Sequence, residues 1–283
     1  MSSVFDFDAP PDQYAVLGNP IAHSKSPRIH TLFAQQTRQR MVYTAIQVDP
    51  GGFKQAVGNF QASGGKGLNV TVPFKREAWE LVNERSTRAQ RAGAVNTVVM
   101  RADGTLFGDN TDGVGLLRDL RDNFGASIAG KRVLILGAGG AVRGVLEPLL
   151  AERPAFLLIA NRTADRASAL AQEFALLGPV SGSGFDGLPG QQFDLVINGT
   201  SASLQGDLPP LPDNLLSPGA LCYDLMYSAQ PTVFMKWAQQ HGAARVVDGL
   251  GMLVEQAAEA FFIWRGVHPE TLPVIEVLRS PHD

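Results

Sequence analysis

The hydrophobic positions of the chain fall into two kinds of run that alternate along its length. Short runs that are almost wholly aliphatic, such as Arg132–Leu136 and Phe156–Ala160, are typical of strands buried on both faces of a parallel sheet. Amphipathic stretches such as Ala164–Phe174 separate them and have the spacing of helices. This alternation predicts an α/β protein with a doubly wound parallel sheet in its second half.

The predicted elements begin or end at residues that break regular structure. The predicted strands are Tyr14–Leu17, Val42–Val48, Leu68–Val72, Ala94–Met100, Arg132–Leu136, Phe156–Ala160, Phe193–Ile197 and Leu221–Leu225. The predicted helices cover residues 27–36, 53–60, 73–82, 113–124, a stretch ending at 152, 164–174 and 252–265. A hairpin turn is expected at Ala102–Gly104, and Ser181–Pro189 is expected to be a glycine-rich surface loop.

Length and composition narrow the class of protein. The 283 residues suffice for two domains, since domains commonly hold about 100–200 residues. The chain has 45% hydrophobic and 18% charged residues, which is typical of an ordered protein. Its net charge of -3 argues against nucleic acid as a partner. No apolar run reaches the roughly 20 residues of a membrane span, and Met1–Asp12 lacks the features of a signal peptide. We therefore expect a soluble, cytoplasmic protein.

Two residue types limit the chemistry further. Cys222 is the single cysteine, which excludes an intrachain disulfide, and its apolar neighbours indicate a buried strand. The five histidines are scattered without the spacing of metal ligands, so no metal site is expected. His23 is a tempting acid–base candidate, but the paired serines beside it explain the segment better, and we expect a structural or solvent-facing role.

A glycine-rich turn between a predicted strand and a predicted helix indicates a dinucleotide site. The residues concerned are Gly137, Ala138, Gly139, Gly140 and Ala141. Glycines allow a tight turn and a close approach of the backbone to a pyrophosphate, and the start of a helix offers free N–H groups. The third glycine of the common pattern is replaced by Val142, and Gly144 is expected to supply the close contact between helix and strand instead.

The residues after the next strand select between NAD and NADP. Enzymes that use NAD place an acid there for the ribose hydroxyls. Here the chain has Asn161, Arg162 and Thr163, with Arg166 one turn later. Arginine grips a phosphate through its planar fork, so the sequence predicts NADP.

Polar residues of the first half and of the C-terminal segment fall into recognisable stretches. These are IAHSKSP at Ile21–Pro27, NVTVPFK at Asn69–Lys75, AVNT at Ala94–Thr97, NTDG at Asn110–Gly113, NRT at Asn161–Thr163 and DGLGMLVEQ at Asp248–Gln256. Each alone is more often a turn or a helix cap than a site. Together, and in this order from about Tyr14 to the C-terminal helix, they resemble the shikimate dehydrogenase family.

The resemblance implies a domain division and a reaction. A substrate-binding domain would comprise residues 1–111 and 249–283, with an NADP-binding Rossmann domain at 112–248. The reaction would be the reversible NADPH-dependent reduction of 3-dehydroshikimate to shikimate, a step of aromatic amino-acid biosynthesis. We expect a monomer or a homodimer whose partner is this small molecule.

The resemblance also implies roles for individual residues. Lys75 and Asp112 look like the catalytic pair, and Ser24 and Ser26 like the pair that holds the substrate carboxylate. The further substrate residues implied are Asn69, Thr71, Asn96, Tyr227 and Gln256. The residues that resemble those lining the nicotinamide are Thr200, Met226 and Gly249. Gly199 stands where the family often has alanine, and we expect no consequence from that change.

Elementary chemistry agrees with the implied catalytic pair. Hydride transfer from an alcohol carbon needs a base for the hydroxyl proton, and the reverse reaction needs an acid. A lysine can act as either, and the sequence does not decide whether Lys75 or Asp112 carries the proton.

Two alternative functions of the chain stay open. One is a quinate/shikimate dehydrogenase that uses NAD, and the other is a non-catalytic nucleotide-sensing protein on the same fold.

Overall fold

The computed structural model describes residues 10–200, 202 and 206–280. They divide into two compact units. The first unit falls within Met1–Gln90, Ala94–Asn110 and Ala257–Asp283, and the second comprises Arg91–Gly93 and Thr111–Gln256. The first unit is therefore built from separate stretches of chain, and the second unit ends at Gln256.

The first unit contains a six-stranded mixed sheet. Its strands are β1 (Asp12–Gly18), β2 (Met41–Gln47), β3 (Gly65–Val70), β4 (Glu84–Arg85), β5 (Thr97–Met100) and β6 (Leu106–Asp109). They lie in the order β2-β1-β3-β5-β6-β4. The neighbours of β1 run parallel to it, whereas β5 is antiparallel to both β3 and β6.

Helices cover this sheet with apolar side chains. They are α1 (Ser26–Thr37), α2 (Phe53–Ala62), α3 (Lys75–Leu81) and α4 (Thr87–Ala92), together with the later α10 (Leu272–Arg279). Proline in the first turn of α1 has no N–H to leave unpaired, which favours a helix start at this point. Phe53 and Phe74 stack on each other in the core between the sheet, α2 and α3, with ring centres 5.2 Å apart.

The second unit contains a six-stranded sheet in which every paired strand is parallel. Its strands are β7 (Arg132–Leu136), β8 (Phe156–Ala160), β9 (Val180–Ser183), β10 (Phe193–Asn198), β11 (Leu216–Asp224) and β12 (Arg245–Val247). The order β12-β11-β10-β7-β8-β9 is that of a doubly wound dinucleotide-binding sheet. Ligands of such sheets bind at the carboxyl ends of the strands, where the order reverses between β7 and β10.

Helices pack on this sheet and form its two apolar layers. They are α5 (Asp112–Arg118), α6 (Gly140–Ala151), α7 (Ala164–Phe174) and α8 (Val233–Gln240). A short π-helical segment, Asp119–Asn123, continues α5. A ninth helix, α9 (Leu250–Arg265), contains the boundary between the units, since Gln256 counts with the second and Ala257 with the first.

The structure confirms most of the predicted elements and corrects one of them. Strands β7 and β8 and helix α7 have the predicted bounds. The surface loop predicted at Ser181–Pro189 is wrong in its first three residues, because they belong to β9, which pairs with β8. A methyl group on Gly182 would overlap the backbone of Ala167 in α7, so this strand needs glycine and lacks the usual apolar pattern.

Two further sequence expectations concern the burial of Cys222 and the presence of membrane-spanning helices. Cys222 lies in the core, where burial raises the pKa of its thiol to about 12. Among the described residues, none of the helices combines the length and the apolar character that crossing a membrane requires.

Candidate active site

The second unit has a cavity of about 1000 Å³ at the carboxyl ends of β7, β8 and β10. It is lined by three groups of residues predicted for the cofactor: Gly137–Gly139 after β7, Asn161, Arg162 and Arg166 after β8, and Thr200 after β10. Seven of the predicted cofactor residues therefore line one cavity at the switch point of the sheet, whereas Gly140, Ala141, Thr163, Met226 and Gly249 are not part of its lining.

The glycine-rich turn after β7 leaves space for a ligand. Gly137 has φ +102°, a conformation that favours glycine, and its N–H donates to the carbonyl of Ala160 at 2.7 Å. Methyl groups on Gly139 or Gly140 would meet no other atom within 4 Å. Helix α6 begins at Gly140 and includes Ala141. The first turn of a 12-residue helix is thus open toward the cavity, as a bound pyrophosphate requires.

Two exposed arginines lie in the cavity wall after β8. Arg162 is the second residue after the strand and Arg166 lies in α7, while Thr163 is the residue before that helix. The amide of Asn161 donates to the carbonyl of Thr163 at 3.0 Å and holds the turn. Asp186 and Asp207 line the same cavity, but β8 itself is followed by an amide and an arginine. Asn161, Arg162 and Arg166 therefore offer an amide and two cations that fit a phosphate on the adenosine ribose.

A buried network that sequence reasoning missed organises the ends of β10 and β11. Asn198 donates to Asp224 at 3.0 Å, and Asn198 Oδ1 accepts the hydroxyl of Thr200 at 2.8 Å. Asp224 also accepts the N–H of Met226 at 3.1 Å and the hydroxyl of Thr232 at 2.6 Å. The polar residues that end two apolar strands were the available signal. The network fixes Thr200 and Met226, two of the residues predicted to line the nicotinamide.

Gly249, the third residue predicted beside the nicotinamide, and Tyr227, a predicted substrate residue, follow this network in the chain. The N–H of Gly249 donates to the carbonyl of Met226 at 3.0 Å, and a methyl group on Gly249 would overlap the carbonyl of Leu225. Tyr227 is half-buried, and burial raises the pKa of its phenol. Glycine at 249 therefore allows the start of α9 to lie directly against the end of β11.

In the first unit, predicted substrate residues make two sets of hydrogen bonds, which together we call the polar cluster. The N–H of Ser26 donates to Ser24 Oγ at 3.3 Å. The amide of Asn69 donates to the carbonyl of Asn96 at 3.1 Å. Tyr43, which the sequence analysis did not single out, donates its phenol hydrogen to Asn69 Oδ1 at 2.7 Å. The bonds of Asn69 join β2, β3 and the segment before β5, and the bond between Ser24 and Ser26 lies at the start of α1.

Thr71 and Lys75 follow β3 and lead into α3. The N–H of Thr71 donates to the carbonyl of Leu17 at 2.9 Å, and both side chains are half-buried. Lys75 is the first residue of α3, and its carbonyl accepts the N–H of Val95 at 2.9 Å. The backbone of Lys75 is thus tied to the segment that carries Asn96.

An ion pair fixes the turn that precedes Asp112. Arg88 donates to both carboxylate oxygens of Asp109 at 2.7 Å and to Glu259 at 3.0 Å. Asp109 also accepts the N–H of Asn110 at 2.7 Å. Two-pronged pairs of this kind are geometrically specific, so the end of β6 is held firmly.

Asp112 belongs to the second unit, whereas Lys75 belongs to the first. Asp112 is buried and begins α5. Its neighbour Thr111 donates its hydroxyl to Gln256 Oε1 at 3.3 Å, and the amide of Gln256 donates to the carbonyl of Leu253 at 2.8 Å. The second unit thus brings Asp112 and Gln256, two predicted substrate residues, into one polar neighbourhood.

Two histidines near the start of α1, His23 and His30, differ in burial. His23 is exposed, whereas His30 is fully buried and neither of its ring nitrogens has a hydrogen-bond partner. Burial lowers the pKa of His30 to about 3, and the neighbouring Asn69 offsets only part of that effect. In the described parts of the chain, no three His, Cys, Asp or Glu side chains are grouped so as to hold a metal ion.

The sheet order, the glycine turn and the cavity define the second unit as a Rossmann-type dinucleotide-binding unit. Three family models match the chain: the shikimate dehydrogenase substrate-binding domain at residues 16–98, shikimate/quinate 5-dehydrogenase at 119–205 and the shikimate 5-dehydrogenase C-terminal domain at 249–279. The chain belongs to the shikimate dehydrogenase family.

Individual relatives agree over nearly the whole chain. Shikimate dehydrogenase (NADP(+)) of Methylococcus capsulatus is 61% identical over 95% of this chain and 97% of its own. The crystal structure of an Ael1 enzyme from Pseudomonas putida has a TM-score of 0.90 at 48% identity, covering 96% of this chain and all of that one. Shikimate 5-dehydrogenase of Thermus thermophilus, solved with NADP(H) and shikimate, has a TM-score of 0.84 at 33% identity, covering 95% and 98%.

Proposed function

We propose that this chain is an NADP-dependent shikimate dehydrogenase, which reversibly reduces 3-dehydroshikimate to shikimate in the biosynthesis of aromatic amino acids. The observation that carries the proposal is a relative at 61% identity over 95% of the chain that is named for this activity. The cavity at the switch point of the second sheet and the polar cluster of the first unit supply the residues that the activity needs.

The residues of the cavity support NADP as the cofactor. The open first turn of α6 suits the pyrophosphate, and Arg162 and Arg166 suit the 2′-phosphate. The cofactor supplies the hydride, and the protein supplies orientation and charge. Thr200, Met226 and Gly249 would lie beside its nicotinamide, since the hydrogen bonds of Asn198 and Asp224 hold the first two of them at the strand ends.

The polar cluster of the first unit supports binding of a small hydroxylated acid. Ser24 and Ser26 would hold the carboxylate, while Asn69, Thr71 and Asn96 would contact the ring hydroxyls. From the second unit, Asp112, Tyr227 and Gln256 would complete the set. Buried and half-buried hydrogen-bonding groups of this kind reject molecules that leave them unpaired.

Lys75 and Asp112 would perform the proton transfer. During reduction, the forming alkoxide oxygen takes a proton from the ammonium of Lys75, and during oxidation the amine takes it back. The carboxylate of Asp112 would hold the ammonium at the reacting oxygen. Lys75 is the first residue of α3 and its carbonyl is bonded to Val95, so its backbone is well fixed for this task.

The location and the oligomeric state form a separate part of the proposal. We place the enzyme in the cytoplasm as a monomer or homodimer. The single cysteine, which is buried, is consistent with a reducing compartment.

The experiment is a spectrophotometric assay of reduced nicotinamide with shikimate or quinate and with NADP or NAD. We expect shikimate with NADP to give the highest kcat/KM. A preference for NAD would support the alternative quinate/shikimate dehydrogenase and refute the cofactor assignment. Tight binding of NADP without turnover of either acid would instead support the nucleotide-sensing alternative.

A further inference from the structure

Thr97 is a fully buried residue at the start of β5 that connects two residues proposed to bind substrate. It lies directly opposite Asn69 of β3 in the sheet, and residues paired in this way have neighbouring side chains. Its hydroxyl accepts the amide of Asn69 at 3.2 Å and donates to Oδ1 of Asn96 at 3.0 Å. The exposed fractions are 0% for Thr97, 6% for Asn69 and 2% for Asn96, so these hydrogen bonds are shielded from bulk water.

The surroundings of Asn69 set the direction of both hydrogen bonds. Nδ2 of Asn69 lies 3.1 Å from the backbone carbonyl of Asn96, and a carbonyl oxygen can only accept. The NH2 group of Asn69 therefore faces this side, and it also donates to the oxygen of Thr97. Tyr43 occupies the other end of the amide, where it donates its phenol hydrogen to Asn69 Oδ1 at 2.7 Å. Since Thr97 accepts from Asn69, its own hydrogen is donated to Asn96 Oδ1.

The backbone of Asn96 is fixed, so what remains to be set is the orientation of its amide. Its N–H donates to the carbonyl of Asp109 at 3.0 Å, and its carbonyl accepts the N–H of Val70 at 2.9 Å. The last side-chain torsion of asparagine has a broad, roughly two-fold preference, which does not distinguish the oxygen end of the amide from the nitrogen end. The hydroxyl of Thr97 supplies that distinction, because it donates to the oxygen end.

We propose that Thr97 is a positioning residue for substrate recognition, which orients the amide of Asn96 so that its NH2 group is presented to the substrate. The inference rests on the proposed function, in which Asn96 contacts a ring hydroxyl. An amide NH2 group only donates, so it recognises the hydroxyl oxygen through a lone pair. Thr97 itself takes no part in hydride or proton transfer, and it therefore affects binding of the substrate rather than turnover.

Substitutions at Thr97 separate the effect of its hydroxyl from that of the rest of the side chain. Thr97→Val keeps the shape and removes the hydroxyl, while Thr97→Ser and Thr97→Ala both lose the methyl group and differ from each other in the hydroxyl alone. We expect Thr97→Val and Thr97→Ala to raise KM for shikimate about three- to tenfold, as for the loss of a neutral hydrogen bond, with kcat within about twofold. Thr97→Ser should keep KM within about twofold of the parent.

Thr37→Val is the matched control for the loss of a hydroxyl. It removes a half-buried hydroxyl of the same unit, which donates to the carbonyl of Phe33 at 2.7 Å within its own helix. Both KM and kcat of this variant should stay at the values of the parent. A kcat close to that of the parent also shows that a variant is folded.

The variants Asn96→Ala and Asn96→Ala/Thr97→Val test whether Thr97 acts through Asn96. If it does, the double variant has the same KM for shikimate as Asn96→Ala alone. Multiplied effects on KM would overturn the inference. An equal rise in KM in Thr97→Ser and Thr97→Ala, or a lower melting temperature with KM unchanged, would also overturn it, because either result indicates a role in packing only.

The same assays separate this inference from the proposed function. If the parent does not turn over shikimate with NADP, the proposed function is wrong. If the parent does, and Asn96→Ala raises KM while Thr97→Val and Thr97→Ala do not, the inference alone is overturned. If Asn96→Ala leaves KM unchanged, Asn96 does not bind the substrate, and the role of Thr97 is refuted with it.

Discussion

The backbone of Gly199 lies directly against the side chain of Val142. A methyl group built on Gly199 would overlap Cγ2 of Val142, and it would also come within 3.2 Å of the carbonyl of Leu136. Val142 occupies the position where a third glycine of the fingerprint was expected, and its side chain fills the space that a methyl group at position 199 would need.

This packing predicts that Gly199→Ala is destabilising. Inserting a methyl group into a well-packed core typically lowers the free energy of unfolding by about 1–3 kcal/mol. Val142→Ala should remove the overlap, so the double variant should be no less stable than Val142→Ala alone. Urea unfolding of the three variants measures this coupling. Strictly additive losses would show that the two residues do not interact.

The sequence predicted the second unit more accurately than the first for a physical reason. Strands covered on both faces are continuous apolar runs, and β7 and β8 were therefore predicted with their observed bounds. In the first unit, β3 ends at Val70 rather than Val72, and β5 begins at Thr97 rather than Ala94. The residues removed from these strands lie in the turns that carry Thr71 and Asn96, two residues proposed to bind substrate, and turns lack the alternating pattern of a strand.

The elements that the sequence did not reveal are short or lack a hydrophobic signal. They are β4, α4, β6, α8, β12 and α10. Strand β9 was missed because Gly182 must let α7 approach the sheet. In the site, Asn198 and Asp224 end apolar strands, a signal that was not used, and Tyr43 was missed because an isolated aromatic residue in a strand has no pattern of its own. Only the fold shows that their hydrogen bonds end on predicted site residues.

Arg162 should determine the preference between NADP and NAD. We expect Arg162→Ala to weaken NADP binding by about 1.5–3 kcal/mol, as for the loss of a charged hydrogen bond, with little effect on NAD. Lys131→Ala is the matched control, because Lys131 is exposed in the same unit and precedes β7 at the opposite end of the strand. Titration calorimetry with both cofactors checks this, and equal losses for the two cofactors would contradict the phosphate assignment.

His30 should make the folded state less stable at acid pH. Its pKa is lowered from 6.5 to about 3 by burial, so the folded state keeps it neutral where the unfolded state binds a proton. Above pH 6.5, the pKa of His30 in the unfolded chain, this histidine does not change the free energy of unfolding. Below that pH the free energy of unfolding falls, by up to about 1.4 kcal/mol for each pH unit.

The variant His30→Phe isolates the contribution of His30 to the pH dependence of the free energy of unfolding. His30→Phe keeps an aromatic ring against Tyr43, and relative to the parent it should gain about 2 kcal/mol in unfolding free energy between about pH 7.5 and about pH 5. The exposed His23 provides a control, since His23→Phe should show no such gain. Urea unfolding at the two pH values gives the comparison, and a difference between His30→Phe and parent that does not depend on pH would refute the prediction.

The proposed enzymatic role of Lys75 is tested most directly by measuring turnover and shikimate binding together in Lys75→Ala. Lys66→Ala, which removes an exposed lysine from β3, is the control and should behave like the parent. We predict that kcat with NADP falls roughly 10²–10⁴-fold in Lys75→Ala, as for the loss of a general acid–base group. The dissociation constant of shikimate, measured by calorimetry, should change by less than about tenfold. An unchanged kcat would contradict the account, because Lys75 would then have no part in the reaction.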